Sequence, residues 1–173
     1  MAYPGSPKAR ELVTSSLLSV AALAVNQLEG LFPYPLPGIK LGLANAFALS
    51  AFSLFGIRAA AAVNLTRVLL SGLLFVGFGL AFLCSLFGVL AALATLCLLG
   101  RLYPRSISAR GIAQAQAMAF NAAQLAVVST AVSSTEVFLH YLPVMALASL
   151  VTGLATGTAS ELICSLARRS GLG

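Results

Sequence analysis

The chain has 173 residues, 60% of them hydrophobic and 8% charged, with ten Lys and Arg, four Glu and no Asp. Fourteen charges cannot cover the surface of a water-soluble domain of this size, three Cys are too few for a disulfide scaffold, and the hydrophobicity excludes disorder. The formal charge of +6 does not point to nucleic acid, because the basic residues edge the apolar runs instead of gathering into a patch. What remains is an all-α, polytopic membrane protein with one compact domain in the lipid bilayer.

A helix needs roughly 20 mostly apolar residues to cross a bilayer. Residues 1–11 are expected to form a cytoplasmic N-terminal segment, and the first span runs from about Leu12 to Leu31. Its length and the lack of a small-residue cleavage site after it distinguish it from a cleavable signal peptide. Three prolines and a glycine in residues 32–38 then end the helix in a loop. A second span is expected from near Leu41 to around Gly56. The stretch Arg58–Gly100 is long enough for two crossings, about 58–76 and 80–99, parted at Gly77-Phe78-Gly79. Residues 100–110 form the clearly polar connection. A fifth span covers about 111–132, and a sixth about 142–166 follows a connection over Ser133–Tyr141. The transmembrane domain is thus a six-helix bundle over residues 12–167, with a cytoplasmic tail at 168–173.

Charge distribution tests that count. With the N-terminus in the cytoplasm, Lys8, Arg10, Arg58, Arg101, Arg105, Arg110, Arg168 and Arg169 fall inside, and Lys40 alone falls outside. Six crossings of the cell membrane with both ends cytoplasmic satisfy the positive-inside rule, whereas five or seven put Arg168 and Arg169 on the wrong side.

Ionisable and amide side chains in a bilayer core are costly unless they meet a partner or a cavity. Here they occur in pairs three residues apart, which share a helix face: Asn26 with Glu29, Asn64 with Arg67, and Asn121 with Gln124. Asn45 adds a group from the second span and Lys40 one from the loop before it. Counting 1.5 Å per residue from Arg58 puts Arg67 about 13 Å deep. The other groups converge in the outer half, beneath the Pro-rich loop. A substrate-binding pocket formed by Asn26, Glu29, Lys40, Asn45, Asn64, Arg67, Asn121 and Gln124 is the expectation. Arg67 and Lys40 suit an anionic group, the amides a polar ring or head group, and the Phe-rich walls an apolar portion. The same groups could instead satisfy one another, Glu29 pairing Arg67, and act as helix glue.

Two small-residue seams speak to packing. Ser15, Ser19, Ala22, Asn26 and Glu29 form a stripe on the first helix. Gly153 and Gly157 form a GxxxG pair on the sixth, with Glu161 on the same face. Glu161 lies near the cytoplasmic end, where it can snorkel. His140 reads as an interfacial residue or a pocket rim, and the three Cys read as small core residues. There is no Gly-rich phosphate loop, no cluster of metal ligands and no plausible Ser-His-acid arrangement. No catalytic residue, metal or cofactor is therefore assigned, and binding or transport is favoured over catalysis.

The run Glu29–Asn45 (EGLFPYPLPGIKLGLAN), together with Arg67-Val-Leu-Leu-Ser-Gly-Leu-Leu, Asn121-Ala-Ala-Gln124 and Tyr141-Leu-Pro-Val, resembles the Gx transporter family, also described as heptaprenyl diphosphate synthase component I. That family is similar to the substrate-binding S components of energy-coupling factor (ECF) vitamin transporters. The resemblance implies a six-helix bundle with an outward pocket under the first loop. It also implies that Glu29, Lys40, Asn45, Arg67, Asn121 and Gln124 line that pocket. An ECF-type transmembrane and ATPase module would dock on the first helix through Ser15, Ser19 and Ala22, although a clean Ala-xxx-Ala is lacking there. Phe120 stands where family members often carry His. The enzyme name does not describe a catalytic subunit, because binding Mg²⁺-diphosphate needs clustered carboxylates and the chain has no Asp. Three readings follow. The first is uptake of a small organic molecule, such as an isoprenoid or quinone precursor or a vitamin-like compound. The second is a non-catalytic anchor for a polyprenyl diphosphate synthase or a membrane redox complex, docking through Arg101, Arg105 and Arg110. The weakest is an intramembrane enzyme acting through Glu29 or Glu161.

Overall fold

Ser6 accepts a hydrogen bond from the Ala9 amide at 3.3 Å, and Pro7 takes the first helical turn. This cap starts α1 (Pro7–Glu29) ahead of the apolar run that begins at Leu12. The computed structural model describes residues 6–31 and 40–171. Among these residues there are no strands, and five further helices follow: α2 (Asn45–Phe55), α3 (Ile57–Ser71), α4 (Leu80–Leu99), α5 (Ala109–Ala131) and α6 (Thr135–Arg169). A wide π-type turn over Gly72–Val76 prolongs α3. Gly77, at φ +70°, then breaks the chain where the sequence places the third boundary.

Four stretches are long and apolar enough to cross a membrane: Lys8–Glu29, Ile57–Val76, Leu80–Leu102 and Thr135–Arg169. The remaining two helices miss that standard for different reasons. α5 has 23 residues but carries Gln116, Asn121 and Gln124, all of them buried. α2 has only 11 residues, about 16 Å at helical rise, roughly half of a hydrocarbon core. The helix within the predicted second span over 41–56 is therefore shorter than the span itself. Residues 40–44 reach α2 as non-helical chain, because Gly42 adopts φ +80° and the next residues turn.

α6 corrects the sequence reading in the opposite direction. It runs unbroken for 35 residues, and Ser133–Tyr141, expected as a connection, is helical from Thr135 onward. Pro143 sits inside this helix. A proline removes one intrahelical bond without forcing a break when the flanking turns are held by neighbours, and here Phe138, Tyr141, Leu142 and Met145 pack on Leu125 and Val128 of α5.

The bundle is assembled through small residues. α2 is its most enclosed element, with Asn45, Ala46, Ala48, Leu49, Ser50 and Ala51 buried. α1 lies against α3 and α2, while α5 lies against α4 and α6. A Cβ on Gly153 would fall 2.6 Å from Gln114 Cα, and one on Gly157 would fall 2.7 Å from Arg110 Cα. The GxxxG face is thus spent inside the chain, where it lets α6 touch the α5 backbone. Next to it, Arg110 Nη2 pairs with Glu161 Oε2 at 2.7 Å on the exposed surface.

The first-helix seam turns inward as well. Ala22 is fully buried in a core cluster with Leu18, Ala48, Ala51, Ala59 and Val63. Ser15 and Ser19 are half-buried, and the Ser19 hydroxyl donates to the Ser15 carbonyl at 2.8 Å. Ala22, expected with Ser15 and Ser19 to form a docking face, is thus enclosed in the α1–α2–α3 core, while the two serines stay partly exposed. At the periphery Leu17, Val20, Leu73, Leu98, Leu147 and Val151 are each more than half exposed. Arg10 Nη2 donates to the Gly171 carbonyl, so the two ends of the described chain meet at one end of the bundle.

Candidate functional site

The start of α2 organises the polar interior. Gly42, in the left-handed region, lets the chain turn so that the carbonyls of Gly42, Leu43 and Ala44 accept from the amides of Asn45, Ala46 and Phe47 at 3.0, 3.0 and 3.3 Å. The residue flanking the helix is Ala44, whose side chain cannot cap it. Glu29 reaches across from α1 instead, and its Oε1 accepts the Leu43 amide at 2.5 Å. A carboxylate beside the first turn also complements the positive end of the helix.

Arg67 lies in the middle of the Ile57–Val76 stretch and is 1% exposed. Its Nη2 donates to Asn45 Oδ1 at 3.0 Å and to Asn64 Oδ1 at 3.1 Å. Lys40, also buried, donates through its backbone amide to Gln124 Oε1 at 3.0 Å and through Nζ to the Asn26 carbonyl at 3.3 Å.

Seven of the eight residues expected from the sequence thus meet around the 40–45 segment: Asn26, Glu29, Lys40, Asn45, Asn64, Arg67 and Gln124. Asn121 is buried too, but its Nδ2 donates to Ser149 Oγ at 2.9 Å, tying α5 to α6. The pairing of Glu29 with Arg67 is not made within ion-pair distance, because Glu29 is turned to the α2 amide; the ion pair among the described residues is Arg110–Glu161. That leaves Glu161 on the surface, and His140 is an exposed helical residue with Nδ1 2.8 Å from the Glu136 carbonyl. The Pro-rich lid expected over 32–39 lies outside the described residues.

Several partners escaped the sequence reading. Ser71 Oγ accepts from Asn26 Nδ2 at 3.1 Å and Gln27 Nε2 at 2.9 Å. Gln116 is buried and donates to the Ala92 carbonyl at 3.2 Å. Helical spacing held the signal for each: Ser71 is one turn beyond Arg67, Gln116 two turns before Gln124, and Ser149 one turn before Gly153.

The network leaves polar atoms over. Glu29 Oε2, Asn64 Nδ2, Arg67 Nε, Gln116 Oε1, Asn121 Oδ1 and Gln124 Nε2, and Ser15 Oγ on the first helix, are buried without a hydrogen-bond partner among the described residues. Each such atom costs about 1–3 kcal/mol if nothing answers it. Four of the seven, on Glu29, Asn64, Arg67 and Gln124, belong to side chains gathered around the 40–45 segment. Chemically, the arrangement offers a guanidinium, an ammonium, a carboxylate and several amides at fixed positions, enough to hold and orient a polar molecule. Elsewhere, an apolar groove of about 530 Å³ between α4 and α5 is lined by Leu80, Leu83, Phe87 and Val127, with Thr130 as its one polar side chain.

No curated protein and no solved structure matches the chain. The family profile described as heptaprenyl diphosphate synthase component I matches residues 18–163, which include every residue of the polar network and five of the six helices in full or nearly so. On that match the chain belongs to the heptaprenyl diphosphate synthase component I family.

Proposed function

We propose that this chain is a membrane-embedded substrate-binding protein that takes up a small organic molecule, as the S components of ECF transporters do. In this reading residues 12–167 form a domain of six crossings with both ends cytoplasmic. α2 and the 40–44 segment together supply the second crossing, and α5, polar only where it is buried, supplies the fifth. The Arg10–Gly171 contact supports an even number of crossings, since both ends share one end of the bundle. The substrate's polar part is held among Asn26, Glu29, Lys40, Asn45, Asn64, Arg67, Asn121 and Gln124. The observation that carries the proposal is the set of buried, unanswered polar atoms on Glu29, Asn64, Arg67, Gln116, Asn121 and Gln124. In a chain that excludes charge almost everywhere else, they are affordable only if a ligand or its water completes them.

Native mass spectrometry of the gently extracted protein tests this directly. A retained small molecule is expected on the wild-type chain, and its loss on Arg67→Ala and Asn121→Ala. Retention unchanged by both substitutions refutes the reading.

A second reading is favoured by the family's description, which names a component of heptaprenyl diphosphate synthase. Here the chain is a non-catalytic membrane partner of a synthase, docked through the 100–110 connection, where Arg101 and Arg105 are exposed while Arg110 is engaged by Glu161. Co-purification separates the two. A synthase lost on Arg101→Glu with Arg105→Glu supports the partner role, and an ATPase module retained instead supports transport.

A further inference from the structure

Of the fourteen charged side chains in the sequence, three are buried: Glu29, Lys40 and Arg67. They lie together around residues 40–45, and the neighbouring segment 32–39 carries no acidic or basic residue. Two cations against one carboxylate leave a single positive charge inside an otherwise apolar bundle. An uncompensated buried charge is among the most costly features a protein interior can hold, and another charge close by is what offsets it.

Hydrogen bonding points the same way. The Gln124 oxygen is taken by the Lys40 amide and the Asn64 oxygen by Arg67, which fixes the orientation of both amides and leaves their nitrogens as donors. With Arg67 Nε, that makes three buried donors without an acceptor. The positive end of α2 lies at the same place; the amides of its first turn already meet the Gly42, Leu43 and Ala44 carbonyls, and Glu29 takes that of Leu43. Glu29 also neutralises one cation, so a second carboxylate-sized anion meets one remaining charge and not two.

We infer that the molecule bound here carries one negative charge, held by Arg67 with the amide nitrogens of Asn64 and Gln124, and an apolar remainder; this rests on the substrate-binding reading above. A dianion overcharges the site while Glu29 is ionised, and a neutral or cationic head group leaves it unbalanced.

Four compounds that share a phenyl ring and differ in head group test the charge: benzoate, benzamide, benzylamine and phenyl phosphate. Each is titrated against the detergent-solubilised full chain at neutral pH, with thermal unfolding as the readout. Benzoate is expected to bind about tenfold more tightly than benzamide, the margin between a charge-assisted and a neutral hydrogen bond. Glu29→Gln raises the net buried charge by one and should move the preference from benzoate to phenyl phosphate. Arg67→Gln lowers it by one and should abolish the advantage of benzoate over benzamide. Lys40→Met makes the same charge change without touching Asn45 or Asn64, so it serves if Arg67→Gln fails to fold. Equal binding of benzamide or benzylamine, or a benzoate preference indifferent to Glu29→Gln, overturns the single-charge inference and leaves the site standing. Failure of all four to bind wild type overturns the site together with it.

Discussion

Gly42 shows how one backbone position can hold a site. Its φ of +80° is strained for any residue with a side chain, and a Cβ there would lie 3.1 Å from both Asn45 Nδ2 and the Phe120 ring. Gly42→Ala should cost about 1–3 kcal/mol from backbone strain alone and lower the melting temperature of the solubilised protein. It should also shift Asn45 away from Arg67, so any retained ligand should weaken in parallel. Ser71 makes a comparable case among side chains. One hydroxyl answers both Asn26 and Gln27, so Ser71→Ala leaves two donors unpaired and should destabilise by about 1–3 kcal/mol, read in the same melts.

Between elements, the decisive contact is α5 with α6. Gly153 and Gly157 meet backbone atoms, which cannot move aside as a side chain can. Gly153→Val or Gly157→Val should therefore push the helices apart, at about 1–3 kcal/mol each from overpacking. Gly79→Ala is the control: no atom lies within 4 Å of its would-be Cβ and its φ is −86°, so its melt should stay within about 0.5 kcal/mol of wild type. α2 depends on a neighbouring helix in another sense, since Glu29 of α1 holds the Leu43 amide at its start. Glu29→Ala should raise amide hydrogen exchange in the first turn of α2, while α4, whose amides Glu29 does not hold, should keep its protection. Equal loosening of both helices would mean that Glu29 supports the bundle in general and not the α2 start.

Taken as a whole, the molecule places its basic ends together. Arg10 reaches the Gly171 carbonyl, and Arg101, Arg105 and Arg110 flank the connection between α4 and α5. For six crossings, a tag at either terminus and a cysteine placed at Ser106 must be accessible from one side of the membrane, and a cysteine placed at Ser133 from the other. Labelling of sealed vesicles reads this directly. Termini on opposite sides would refute the proposed six-crossing topology.

Local chemistry determined much of this protein without the fold. Apolar length, basic flanks and Gly-Pro breaks are properties of short stretches, so the membrane class, the boundary at Gly77 and the all-helical architecture were legible in the sequence. So was the burial of the polar residues, because an Arg or Asn in an apolar run is expensive whatever surrounds it. Direction and partnership were another matter. Ala22 could have faced lipid or core, Glu29 could have paired Arg67 or an amide, and Gly153 could have met a second protein or α5. Helix periodicity leaves each pair of options open, since it fixes which residues share a face but not what that face meets. The extents of α2 and α6 were hidden for a related reason. Gly42 keeps α2 from starting before Asn45 while Pro143 leaves α6 unbroken, and in each case the outcome was decided by the helices packed around it, which only the tertiary structure brings together.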